Sequence, residues 1–219
     1  MAGPSGSTPI LTLPYPIPDD TVDVPRDIQA LATKLDGISS LRPPLVSSLP
    51  GTPVDGQEIY YLADPTNGVI WHLRYRAASA SPYKWEFVGG SELRAWVGTG
   101  DTTTSPTLGN LVSTPGPTIF NPLVGDYLVR AGCQCGPASA IQNASIGLTS
   151  TLSPAPGDNQ HTISLGGAGW YGLMEMTRVV TLTAVGQVAG GFVQMQYATN
   201  AGTATFSRRV MTMYPLRVG

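Results

Sequence analysis

The chain has 219 residues, of which 26 are glycine and 20 proline; charged residues make up 12%, and the formal net charge is −2. So many turn formers beside 42% hydrophobic residues exclude a coiled-coil rod, a collagen repeat and wholesale disorder. No stripe of lysine and arginine is present to neutralise phosphates, so nucleic acid is not an expected partner. No apolar run approaches the roughly 20 residues that cross a bilayer as a helix, so neither is a membrane.

Residues 1–18 are dominated by Gly, Pro, Ser and Thr, with five prolines. Proline removes donors and blocks helix, so an extended arm is expected, lacking a core of its own. The segment has neither a basic n-region nor a continuous apolar stretch, so synthesis in the cytoplasm without secretion is expected. Within 19–38 the residues Ile28, Leu31, Ala32 and Leu35 fall at i, i+3, i+4 and i+7, which predicts one short amphipathic helix. Pro25 suits its first turn, Asp27 and Lys34 match the ends of its dipole, and Gly37 stops it. About 12 residues of helix are marginal alone in water. The stripe of Ile28, Leu31 and Leu35 is therefore a candidate docking surface, for the next domain or for copies of itself.

A proline-rich linker at 39–53 leads into a compact β unit. Strands are expected at 58–63, 69–76 and 83–88, the first two joined by a tight Pro65-Thr-Asn-Gly68 turn in which Asn-Gly supplies positive φ. Val69, Trp71, Leu73 and Tyr75 share one face, as do Tyr83, Trp85 and Phe87. His72, Arg74, Arg76, Lys84 and Glu86 lie opposite and read as solvated or interfacial. Beyond residue 91, strand candidates recur at 94–99, 117–121, 125–134, 139–152, 161–165, 171–175, 177–187, 190–198 and 203–214, with turn residues between them. Ala144, Ile146, Leu148 and Leu152 alternate, and so do Val193, Met195 and Tyr197. The expected fold is thus mainly β: an arm with a short helix over 1–43, a small three-stranded antiparallel unit over 44–90, and a C-terminal antiparallel β-sandwich of jelly-roll type over 91–219.

Residues 95–219 carry only Asp101, Asp126, Asp158, Glu175, Arg130, Arg178, Arg208, Arg209 and Arg217 as charges. Nine charges in 125 residues leave a free monomer poorly soluble. Covering that surface with further copies resolves the difficulty, so a homo-oligomer is expected, a trimer by analogy with jelly rolls.

Chemistry-bearing motifs are sparse. Cys133 and Cys135 share a strand face with poor disulfide geometry, and two ligands do not close a zinc site, so both read as small buried hydrophobes. Gly167-Ala-Gly169-Trp-Tyr-Gly172 spells GxGxxG but is followed by a strand-like run, and no acidic residue occurs after Glu175. It reads as a loop presenting Trp170 and Tyr171 to a subunit interface, to the core or to a ligand, not as a dinucleotide site. His72 and His161 belong to no catalytic signature, and the acids beyond residue 91 form no motif. No enzyme, cofactor or metal is expected.

Three stretches carry a resemblance. Leu13-Pro-Tyr-Pro-Ile-Pro-Asp-Asp-Thr-Val-Asp-Val-Pro-Arg-Asp-Ile-Gln-Ala-Leu-Ala32 resembles the opening of many minor tail proteins of actinobacterial phages. Pro44-Leu-Val-Ser-Ser-Leu-Pro50, Asp55 to Asp64, Gly68 to Arg76 and Tyr83 to Gly90 together look like a module of phage tail and fibre proteins. Ala204 to Val218 is similar to the last strands of trimeric fibre heads. The resemblance implies a virion structural protein, a minor tail or tail-fibre component made in the host cytoplasm. Its expected partners are other copies of itself, other virion proteins and a host cell-surface glycan. The alternatives are a capsid decoration or head fibre, a cell-wall polysaccharide depolymerase, and a secreted carbohydrate-binding module.

Overall fold

A computed structural model describes residues 6–7, 13–15, 17, 23–36, 43–137, 142–150, 160–166, 169, 171–186 and 191–219. Two arm strands, β1 (Gly6–Ser7) and β2 (Pro14–Tyr15), pair antiparallel. The helix α1 (Val24–Asp36) follows and packs against β2. Its start is capped by Asp23, whose carboxylate accepts the Arg26 amide at 3.2 Å, satisfying one of the free donors of the first turn.

The short β3 (Leu45–Val46) runs parallel to β4 (Glu58–Asp64). β4, β5 (Val69–Tyr75) and β6 (Trp85–Gly90) form the expected antiparallel unit. In the β4–β5 turn the positive φ falls on Gly68 alone, at 66°. Asn67 instead donates its side-chain amide to Asp64 at 2.7 Å, and the same carboxylate takes the Thr66 and Asn67 amides. These bonds, the side-chain one foremost, hold the Asp64 carboxyl below its usual range. Ile59, Tyr61, Trp71, Leu73 and Trp85 are buried, while Tyr75 and Phe87 sit half-buried at the rim.

β7 (Leu93–Val97) and β8 (Asp101–Thr103) lead to β9 (Thr118–Phe120). The rest is β10 (Gly125–Pro137), β11 (Gln142–Ser150), β12 (Gln160–Leu165), β13 (Gly172–Leu182), β14 (Phe192–Thr199) and β15 (Ala204–Val218). Two sheets, antiparallel except for the β3–β4 pair, stack as a sandwich. The smaller runs β12-β11-β14-β9 and the larger β13-β10-β15-β6-β5-β4-β3. The protein is mainly β, as its composition and alternation imply. Leu152 and Trp170 lie outside the described residues.

β15 organises the large sheet. One edge pairs with β10 throughout; the other takes β8 at Ala204–Phe206, β7 at Arg209–Met213 and β6 at Arg217–Val218. The small β unit therefore joins the head edge to edge, and one hydrophobic cluster runs from Ile59 through Trp71 and Tyr127 to Met213. Gly90 makes the β6–β7 corner possible. Its φ is 130°, and a Cβ there would stand 2.3 Å from the Ile70 carbonyl oxygen. Two sequence expectations are corrected. The candidates at 171–175 and 177–187 are one uninterrupted strand, β13, ending at Leu182, because its residues pair without a break along β10. The short β8 was not expected at all.

Candidate functional site

The expected docking stripe is formed by the helix but only partly covered. Ile28 is 61% exposed, Leu31 and Leu35 are half-buried, and Ala32 is exposed. None of these belongs to the core cluster of the sheets. Tyr171 is 65% exposed at the start of β13, so the structure presents it to solvent. Gly172 opens a strand and not a helix, which removes the geometry a dinucleotide needs.

The polar face of the small unit is an ion-pair cluster. His72 Nε2 lies 2.9 Å from Glu58, and Glu86 faces Arg74, Arg76 and Arg217 at 3.4, 3.2 and 3.5 Å. Arg217 belongs to β15, so this carboxylate ties the small unit to the head.

The most unusual backbone lies in β15. Between Ser207 and Val210 the strand carries one residue more than β10, which has only Cys133 between Gln134 and Gly132. This is a β-bulge, and Arg208 sits in it with φ 49°. Simple alternation from Ala204 and Phe206 would send Arg208 inward. The extra residue reverses the phase: Arg209 points inward, fully buried, and Arg208 is exposed. A left-handed conformation is costly for a residue with a Cβ. Here it exchanges which of two adjacent arginines enters the core.

Arg209 then works as an internal clasp. Its guanidinium donates to the Thr114 carbonyl at 2.5 Å, the Thr114 hydroxyl at 2.6 Å and the Thr99 carbonyl at 2.8 Å, and it stands 5.5 Å from the Tyr197 ring centroid. It ties the β7–β8 and β8–β9 loops to the core. Asp101 fastens the same loop from outside, accepting the Thr102, Ser113 and Thr114 amides at 2.8, 2.9 and 2.8 Å. Desolvation alone would raise the Asp101 carboxyl, but these bonds outweigh it and hold it below the usual range. Cys133 and Cys135 are free and buried, and burial pushes their thiols up to about 12 and about 11.

The side of the large sheet turned away from the small one is open. Cross-strand register sets its rows: Glu175, Gly132, Val210 and Trp96; then Thr177, Arg130, Thr212 and Arg94; then Val179, Leu128 and Tyr214. Gly132 leaves a gap in the middle of this array. A depression of about 460 Å³ opens over it, walled by Arg130, Gln134, Leu173, Glu175, Arg208 and Val210, with Glu92 at its rim. Sequence alternation could place most of these on one face, but Arg208 only once the bulge is known. Among the described residues no group of His, Cys, Asp and Glu could hold a metal, and no helix is long and apolar enough to cross a membrane.

No protein-family model and no curated protein matches the chain. Among solved structures it is similar to the PRD1 vertex protein P5, with TM-score 0.39 and 9% identity over 58% of this chain and 96% of that one. It is also similar to the Eiger TNF from S. frugiperda, with TM-score 0.37 and 9% identity over 58% and 94%. A structure of infectious bursal disease virus, Gt strain, gives TM-score 0.30 and 12% identity over 68% and 45%. At these scores the likenesses decide nothing about this chain's chemistry.

Proposed function

We propose that the chain is a structural component of a phage virion, a minor tail or tail-fibre protein. In this reading the N-terminal arm and helix attach it to the particle, the β head assembles with copies of itself, and the assembled head meets a host-surface glycan. The observation that carries it is the pairing of a half-covered apolar helix stripe, led by the exposed Ile28, with a head that carries only nine charges over residues 95–219. Such a helix is incomplete without a partner surface. Such a head is hard to keep dispersed alone. The resemblance of Leu13 to Ala32 and of the 44–90 module to phage tail proteins supports the same reading.

The test is immunogold electron microscopy of purified particles with antibody against the head. Labelling at the tail is expected. Labelling on the shell would favour the decoration or head-fibre alternative, which shares the arm-plus-head design. Unlabelled particles would overturn the virion reading. The proposed role is adhesive and not catalytic; release of reducing sugar from host envelopes incubated with the protein would overturn that part.

A further inference from the structure

We propose that the open face of the large sheet, centred on Gly132, is the surface on which a second copy of this chain docks. This deepens the self-association proposed above and rests on it. The face is built from β13, β10, β15 and β7, and three observations on it point to one occupant.

The first is the use of scarce charge. Of the nine charges between residues 95 and 219, Arg130, Glu175 and Arg208 wall a single depression, and Glu92 stands at its rim. Among the described residues, the ion pairs formed do not include any of these four. With Arg94 in the same sheet row, the face carries three unpaired cations (Arg94, Arg130 and Arg208) and two unpaired anions (Glu92 and Glu175), and such a mixed surface can match itself, because each sign finds its opposite on an identical surface. An anionic or cationic partner would match only one sign of them.

The second is exposed apolar side chains on the same face. Leu173 is 85% exposed, Trp96 64% and Val179 57%. Leu173 walls the hollow over Gly132, while Trp96 and Val179 stand further out on the same face. Large apolar side chains ringed by charge mark association surfaces. The bulge adds to this, since it spends a strained residue on aiming Arg208 outward at the same place.

The third is size. Three strands open over about eight residues and the five-residue β7, about 4.8 Å apart, give a face of about 450 Å². A stable interface takes about 800 Å² from each partner. The face supplies more than half of that.

The experiment is sedimentation velocity on the full chain across micromolar concentrations, with Glu175→Arg and Leu173→Lys. Both residues are exposed, so folding should survive, and unchanged circular dichroism and melting of dilute samples checks this. The intact chain should sediment as an oligomer, and each variant should associate at least tenfold more weakly, since like charges are brought together or a lysine is desolvated. If the intact chain assembles and both variants assemble equally well, copies meet elsewhere: this inference falls and the proposed self-association stands. An intact chain that remains monomeric overturns both. If the intact chain is monomeric and a saccharide shifts the Trp96 fluorescence, the face serves a glycan instead.

Discussion

Replacing Trp71 by alanine tests how firmly the small β unit and the head are one body. Trp71 is fully buried on β5; its ring lies 6.1 Å from Tyr61 within the unit and 6.2 Å from Tyr127 on β10, and its indole N–H donates to the Ser91 carbonyl at 3.0 Å. Truncating a buried tryptophan to alanine costs about 3–5 kcal/mol through lost burial and the cavity left behind. Leaving the Ser91 carbonyl without its donor adds about 1 kcal/mol. For a chain of this size each kcal/mol lowers Tm by about 2–4 °C, so the variant should melt about 8–24 °C lower. Because the ring joins β5 to β10, a single calorimetric transition is expected to move as a whole, and urea unfolding followed by far-ultraviolet circular dichroism should give the same loss. A loss below about 1 kcal/mol would mean that the ring is not the joint described, since surface changes stay within about 0.5 kcal/mol. Two transitions, of which only the smaller moves, would refute the coupling.

Cys133 and Cys135, with thiols pushed up to about 12 and about 11, should resist iodoacetamide at pH 8 in the folded protein and react fully in denaturant; fast labelling of the folded protein would place them at the surface. Asp64 and Asp101 have folded carboxyls held below the unfolded value, so their contribution is present above about pH 4 and is lost as pH falls through the depressed folded values. Melts from pH 6 to pH 2.5 should show that loss, and Asp101→Asn should flatten part of it; an unchanged profile would refute the latch. Arg209→Met leaves the Thr99 and Thr114 carbonyls without donors and should cost about 2–5 kcal/mol in urea unfolding, and a change within about 0.5 kcal/mol would show the clasp to be idle. A protein starting at Leu45 should keep the thermal transition of the head and fail to join particles lacking the native chain; unfolding of the head would mean that Ile28, Leu31 and Leu35 pack on it, and assembly of the shortened protein would move attachment into the β domains.

Local pattern settled much of this molecule. The β class, the helix around Ile28, Leu31 and Leu35, the buried faces of Trp71 and Leu73 and of Val193, Met195 and Tyr197, and the inert character of the two cysteines all follow from spacing and residue type, because period-2 and period-3.6 alternation act over neighbours. Three features needed the folded chain. Glu175 and Thr177 belong to one strand because β10 offers an unbroken edge. The small unit is continuous with the head because Trp85 and Glu86 meet Val218 and Arg217, more than 130 residues away in sequence. The open face owes its charge pattern to a bulge that sends Arg209 inward and Arg208 outward. Alternation alone predicts the reverse for those two arginines. A bulge is a mismatch between two paired strands, and β15 acquires its mismatch only when β10 lies beside it.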